Sequence, residues 1–216
     1  MKWEDEGILL ASRPHGERNK IIDVFTPSQG RHLGMVKNVT TTKQSNLFEP
    51  GTQLKLVWKA RLEEHLGVFS TEIIKSRTLI LIKNKKALLG FNAIASLLLI
   101  FLPEREPFES IYYRTINLID SIESKANWIA DYIAWELLIL SELGYGLDLS
   151  VCAVTGGNSN LTYVSPKTGR AVSKEAGKDW KHKLLPLPNF LLQNEKELTT
   201  EALKEGLTLT GYFLEK

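Results

Sequence analysis

The chain has one cysteine in 216 residues, Cys152. A lone thiol excludes an intrachain disulfide framework, and it excludes a cysteine-rich structural zinc site, which needs four ligands. Long apolar runs are missing too. The longest candidate, Lys85 to Leu102, carries Asn92 and Ser96 and stops at Pro103-Glu104-Arg105-Glu106-Pro107, short of the about 18 to 20 apolar residues that span a bilayer. The opening Met1-Lys2-Trp3-Glu4-Asp5-Glu6 has no basic region followed by an apolar one, so no cleavable leader is expected and the protein reads as cytoplasmic, without a membrane partner. Catalytic signatures are absent as well: no G-x-x-x-x-G-K-[ST], no H-E-x-x-H and no G-x-S-x-G. His15, His32, His65 and His182 are scattered, and the pairs Glu63-Glu64 and Glu104/Glu106 have no third carboxylate or histidine at metal-ligand spacing. No metal, no cofactor and no covalent chemistry are therefore expected.

What is present suits a globular chain: 43% apolar residues and five Trp, in a length that admits one large domain or a few small ones. The net charge of +2 conceals a sorting, because residues 1–83, 84–150, 151–183 and 184–216 carry net +4, −4, +4 and −2. Two basic regions flank an acidic middle. That is either ordinary surface variation or a pair of surfaces for a polyanion.

The chain is organised around Gly7 to Lys37. Ile8 to Leu10 is an apolar run, the charged cluster Arg13 to Lys20 breaks it, Ile21 to Phe25 resumes it, and Thr26-Pro27-Ser28-Gln29-Gly30 turns into a third strand, Arg31 to Val39. Arg13, Arg18, Lys20, Arg31, His32 and Lys37 thus fall on or beside strand ends, where long cations can line one face of a sheet. The polar stretch Thr40 to Asn46 reads as a loop carrying Lys43, and two further strands fit Thr52 to Leu62 and Leu66 to Lys75. Five short strands with Gly or Pro turns match a small barrel, of which the five-stranded OB-fold is the commonest that binds nucleic acid. Phe25, Phe48, Trp58 and Phe69 alternate with polar residues, which assigns most of them to the barrel core rather than to base stacking.

From Lys85 to Leu102 the pattern becomes helical and apolar almost all round, the mark of a buried central helix. Helices over Phe108–Ser124 and Ala126–Leu143 follow, the second stopped by Gly144-Tyr145-Gly146. Leu147 to Ser173 is dense in Gly, Ser, Thr and Asn, with a hairpin expected from Leu161–Val164 and Arg170–Ser173. Cys152-Ala153-Val154-Thr155 has the form of a C-x-x-C whose second ligand is absent. Lys174, Lys178, Lys181, His182 and Lys183 precede Leu184-Leu185-Pro186-Leu187-Pro188, which reads as a rigid connector, and Leu198 to Leu209 closes with a short helix. The fold class expected is α+β: an OB-fold barrel over 1–80, a helical domain over 81–147 and 184–216, and a loop-rich insert over 148–183.

The Gly7-to-Lys37 pattern, an apolar strand, a loop of R-x-x-G-E form at Arg13-Pro14-His15-Gly16-Glu17, a second strand, a Gly turn and a basic third strand, resembles the bacterial recombination mediator family RecO. Phe48-Glu49-Pro50-Gly51 fits the same family. So do Glu142 to Leu149 and Tyr163 to Ser173, which are similar to its cysteine-poor proteobacterial branch. The resemblance covers nearly all of the chain and makes the insert a zinc-finger-like unit that has lost its cysteines. Asn38 stands where the family commonly has Gly, so the turn there is expected to differ. The chain also ends at Lys216, short of a final helix many relatives carry, which by the resemblance leaves an apolar patch uncovered.

The resemblance implies DNA repair by homologous recombination: binding single- and double-stranded DNA, annealing complementary strands, and acting with RecR to load RecA onto DNA coated by single-strand-binding protein. A nucleoid-associated location goes with it. Arg13, Arg18, Lys20, Arg31, Lys37 and Lys43 are the expected phosphate contacts, each with the alternative of a solvated charge or an ion pair with Glu17 or Asp23. Lys167, Arg170, Lys174, Lys178 and Lys181 extend the track or receive RecR. The C-terminal tail of single-strand-binding protein needs an apolar pocket edged by cations, for which Arg105, Phe108, Tyr112 and Arg114 are the candidates, with core packing the other role of the two aromatics. Two other classes stay open: a barrel that binds proteins instead of DNA, and a nucleic-acid-modifying enzyme.

Overall fold

The computed structural model describes residues 1–39, 41, 46–125, 127–192 and 198–216, without the side chains of Glu123 and Ser124. Five strands open the chain: β1 Lys2–His15, β2 Asn19–Thr26, β3 Gly30–Val36, β4 Gln53–Lys59 and β5 Val68–Lys75. Their pairing runs β1-β2-β3-β5-β4 and returns to β1, closing a barrel. A parallel ladder joins β3 to β5 through Met35↔Val68 and Val36↔Phe69. β1 is far longer than the apolar run Ile8–Leu10 because it serves two partners. Its first half, from Lys2↔Lys59 to Ile8↔Gln53, pairs with β4, and from Ile8↔Phe25 to His15↔Asn19 it pairs with β2, with a register shift between Leu9 and Ala11.

Strict alternation decides the interior. Along β3, Gly30, His32, Gly34 and Val36 are buried, and along β4, Leu54, Leu56 and Trp58. With Leu9, Ile22, Val24 and Phe69 these apolar side chains form the barrel core, as the sequence predicts for Trp58 and Phe69. Gly34 permits that packing, since a Cβ there would lie 2.4 Å from the Phe69 ring. Asn38 adopts φ 61°, the left-handed region that glycine would occupy and that asparagine tolerates, so the turn keeps a glycine-like backbone.

Three helices complete the first compact unit, Met1–Ser124: α1 Thr78–Lys83, α2 Lys85–Phe101 and α3 Glu109–Ser124. α1 falls in a stretch without a helix in the sequence reading. α2 starts at Asn84, whose side-chain oxygen accepts from the backbone N–H of Lys86 at 3.0 Å and Ala87 at 3.2 Å. Burial all round does not hold for α2. Ala87, Phe91, Ile94, Ala95 and Leu98 make one buried stripe against β1 and α3, while Leu88, Leu89 and Ile100 are exposed.

The second unit, Lys125–Lys216, holds α4 Trp128–Glu142, a three-stranded sheet and α6 Thr200–Leu214, which packs on α4. The sheet has the order β7-β6-β8, from β6 Leu161–Val164, β7 Ala171–Ser173 and β8 Leu185–Pro186. The expected hairpin is β6–β7. The expected connector is instead the third strand, because Leu185 and Pro186 pair with Val164 and Tyr163. Cys152 is buried among Leu161, Val164, Ala171 and Leu209 and accepts from the Ser173 N–H at 3.2 Å, so it serves as a core side chain. A short helix α5, Lys174–Gly177, is capped by Ser173 and runs into a 3-10 turn over Lys178–Lys183. Among the described residues no helix is long and apolar enough to cross a membrane.

Candidate nucleic-acid interface

The β1–β2 hairpin gathers four of the expected cations. Arg13↔Ile21, Pro14↔Lys20 and His15↔Asn19 pair up to a tip at Gly16, whose φ of 66° makes the reversal. Lys20↔Val36 then brings the end of β3 alongside the hairpin, and the Val39 N–H donates to the Arg18 carbonyl at 2.8 Å, drawing the segment after β3 over the tip. Arg13, Arg18 and Lys37 are exposed there, and Lys20 is half-buried. Lys43 lies outside the described residues. Exposed cations such as Arg13, Arg18 and Lys37 at one end of a three-strand ribbon suit a chain of phosphates, which is bound without reading bases.

Arg31 is not part of this group. It is the second residue of β3, opposite Phe25, whereas Lys37 follows the strand's other end, six residue steps of about 3.3 Å away. Its side chain is only 15% exposed, with Nη1 3.1 Å from Asp23 Oδ2 and Nη2 3.6 Å from Glu104 Oε1. The ion pair with Asp23 was the sequence-level alternative for this residue, and it is the arrangement found. Burial pushes the Asp23 carboxyl up to about 6, Arg31 opposing and Glu104 adding to the rise. A charged residue inside the otherwise apolar Ile21–Phe25 run was the sequence signal for a buried partner.

The four residues expected around the acidic tail do not form one cation-edged pocket. Arg105, at φ 66°, spends its guanidinium on the carbonyls of Glu63 and His65, and its N–H donates to the Arg31 carbonyl at 2.8 Å. Tyr112 is fully buried with its ring edge-on to Phe25 at 5.6 Å. Phe108 is half-buried, and Arg114 alone of the four is exposed.

In the second unit Lys167, Arg170, Lys174, Lys178 and Lys181 are all exposed but fall into two sets. Lys167 and Arg170 sit at the β6–β7 turn, where Arg170 Nε is 3.3 Å from Asp148 Oδ2; Lys174, Lys178 and Lys181 follow the far end of β7 on α5 and the 3-10 turn. Among the described residues no group of three or more His, Cys, Asp or Glu is placed to hold a metal ion.

Family models match both parts of the chain: the recombination protein O N-terminal model over residues 1–77 and its C-terminal counterpart over residues 84–216. The chain belongs to the RecO family. The chain is 45% identical over 214 residues to the DNA repair protein RecO of Cereibacter sphaeroides, covering 99% of this chain and 88% of that protein. It is also 45% identical over 215 residues to that of Ruegeria sp., covering 100% and 89%. For Rhodopseudomonas palustris the values are 44% over 218 residues, 99% and 87%. Membership places the chain in DNA repair and recombination, and its barrel is the OB-fold of the RecO N-terminal domain. The sequence reading passed over Arg77, which is 2% exposed and joins the barrel to α3; one arginine in a polar Lys75-Ser76-Arg77 linker carries no signal of burial.

Proposed function

We propose that this RecO chain binds single- and double-stranded DNA through its barrel, anneals complementary strands, and acts with RecR to load RecA onto DNA coated by single-strand-binding protein. The observation that carries the reading is the cluster of Arg13, Arg18, Lys20 and Lys37 around the β1–β2 tip of an OB-fold. Each phosphate neutralised releases condensed counterions, which makes binding salt-sensitive and lowers the repulsion between two strands held side by side. Lys43 belongs to the same proposed set, while Arg31 contributes by holding the fold. Lys167, Arg170, Lys174, Lys178 and Lys181 offer a second basic surface for DNA or RecR, and Arg114 a contact for the acidic tail of single-strand-binding protein. Nothing in this scheme asks the chain to make or break a covalent bond, and it works in the cytoplasm, at the nucleoid.

The test is annealing of two complementary labelled oligonucleotides without ATP or metal, at low and moderate salt, with and without single-strand-binding protein. Acceleration that falls as salt rises is the expected result. A folded sample that neither anneals strands nor binds DNA in a salt-dependent way removes the reading.

A second reading, a protein-docking adaptor, draws on one observation: Leu79, Ile82 and Ile100 are 71%, 71% and 72% exposed. Salt separates the two, since an apolar docking site does not lose affinity with added salt.

A further inference from the structure

The 3-10 turn over Lys178–Lys183 displays a tryptophan among cations. All six of its side chains are exposed, Trp180 by 57%. A ring covered on both faces shows only its edge, so an exposure this large leaves a face of the indole open. The core of the second unit takes in Ala176 and Leu184, which flank the turn, but not Trp180. One exposed apolar side chain is ordinary on a protein surface. The neighbours of this one make it different.

In a 3-10 helix side chains three residues apart eclipse, so the turn carries three short ridges: Lys178 with Lys181, Asp179 with His182, and Trp180 with Lys183. The last pair is in contact. Lys183 Nζ stands 5.2 Å from the centre of the Trp180 ring, within cation–π range, over one face of the indole. The turn is braced at both ends. Ser173 Oγ caps α5 by accepting from the Ala176 N–H at 3.4 Å, Gly177 is buried against the Tyr163 ring, and beyond the turn Leu185 pairs with Val164 of β6. A contact made from such an element orders little chain that is not already ordered.

The surface suits an occupant that brings a flat π-face and negative charge together. A protein docking by apolar contact would find one indole set among Lys178, Asp179, Lys181, His182 and Lys183, with no continuous apolar patch in the turn. A duplex keeps its base faces stacked inside. A single strand of DNA offers unstacked bases and phosphates in alternation, and an aromatic platform edged by cations is a common way to hold one. We propose that Trp180 stacks on one base of a bound single strand, with Lys178, Lys181 and Lys183 on the phosphates that flank it. The proposal rests on the DNA-binding reading above and adds to it a base contact in the second unit. Every base has a π-face, so the contact admits all four and is missing from a strand without bases.

The experiment measures the affinity of the full chain for a short oligothymidylate and for an abasic strand of the same length and phosphate count, over a range of salt. The wild-type chain is expected to prefer the base-bearing strand by at least about fivefold. Trp180→Ala is expected to remove most of that preference and leave the salt slope unchanged; the residue lies outside the core, so the variant should keep the wild-type urea midpoint. Lys178→Ala combined with Lys181→Ala is expected to weaken binding of both strands alike and to lower the slope by about 1 to 2. Equal affinity of the wild-type chain for the two strands, or a preference that survives Trp180→Ala, overturns the stacking contact and leaves phosphate binding standing. An unchanged slope in the double lysine variant overturns the phosphate contacts. No binding of either strand by the wild-type chain overturns the DNA reading as well.

Discussion

Arg77 Nε donates to Asp120 Oδ1 at 2.7 Å, tying the linker after β5 to α3. The same guanidinium reaches the Gly51 carbonyl and the Gln53 side chain at 3.2 Å each, so one buried cation holds a barrel turn, β4 and a helix together. Burial acts to raise the Asp120 carboxyl, but hydrogen bonds from Arg77 and then Lys75 outweigh it and hold the group below the usual carboxylate range. Arg77→Ala removes the donor that Gly51, Gln53 and Asp120 share, with Lys75 still on Asp120, and is expected to cost about 2–3 kcal/mol, read as a lower urea midpoint. The depressed carboxyl stabilises the fold above the ordinary Asp range and loses that contribution as pH falls through its folded value; the variant flattens the acid limb of the stability curve.

Asp23 and His32 give pH dependences of opposite sign in one window. Asp23 rises to about 6 in the fold, so its contribution favours folding at low pH and is lost as pH climbs from the ordinary Asp value toward 6. His32 falls to about 4, so its contribution is present above the ordinary His value and is lost as pH drops toward 4. Urea midpoints between pH 4 and 7 are expected to rise more steeply with pH in Asp23→Asn and less steeply in His32→Phe. Parallel curves for the two variants and the wild-type chain would contradict both placements.

In the second unit Glu136 is buried on α4 and accepts from the Thr210 hydroxyl of α6. Burial pushes its carboxyl up, and hydrogen bonds from Thr210 and Tyr132 resist the rise. Thr210→Val keeps the shape and removes the donor, at an expected cost of about 1.5–3 kcal/mol by thermal or urea unfolding. A change within error would mean that the carboxyl is protonated and satisfied without Thr210.

The cation cluster predicts a division among arginines and lysines. Arg18→Ala and Lys37→Ala should weaken binding to DNA of any sequence and reduce the log–log salt slope by about 1 each, with unfolding unchanged. Arg31→Ala should act mainly on stability, since it strands Asp23 and releases Glu104. Salt titrations by anisotropy, paired with urea melts, separate the two classes.

The barrel was legible from its turns and alternation, because a period of two and a Gly or Pro break are local signals. Even the return of Leu185–Pro186 as a strand could not be read that way, since a two-residue strand has no period and its pairing with β6 is made across a long stretch of chain. The cations at the tip were legible for the same local reason: Arg13, Arg18 and Lys20 flank one turn, and Lys37 follows a strand that pairs next to it. Arg31 looked like one of them because charge in a sequence carries no depth.

By itself, then, the sequence determined the five strands of the barrel, the OB-fold, the longer helical stretches and the RecO family, all of which rest on residue order over short windows. Only the tertiary structure decided which charges are displayed and which are enclosed: Arg31 with Asp23 and Glu104, Arg77 with Asp120, Glu136 with Thr210, and His32 among its tryptophans. The physical reason is that burial and pairing depend on which distant segments meet. The same imidazole or guanidinium is a solvated surface group in one setting and a costly interior group in another.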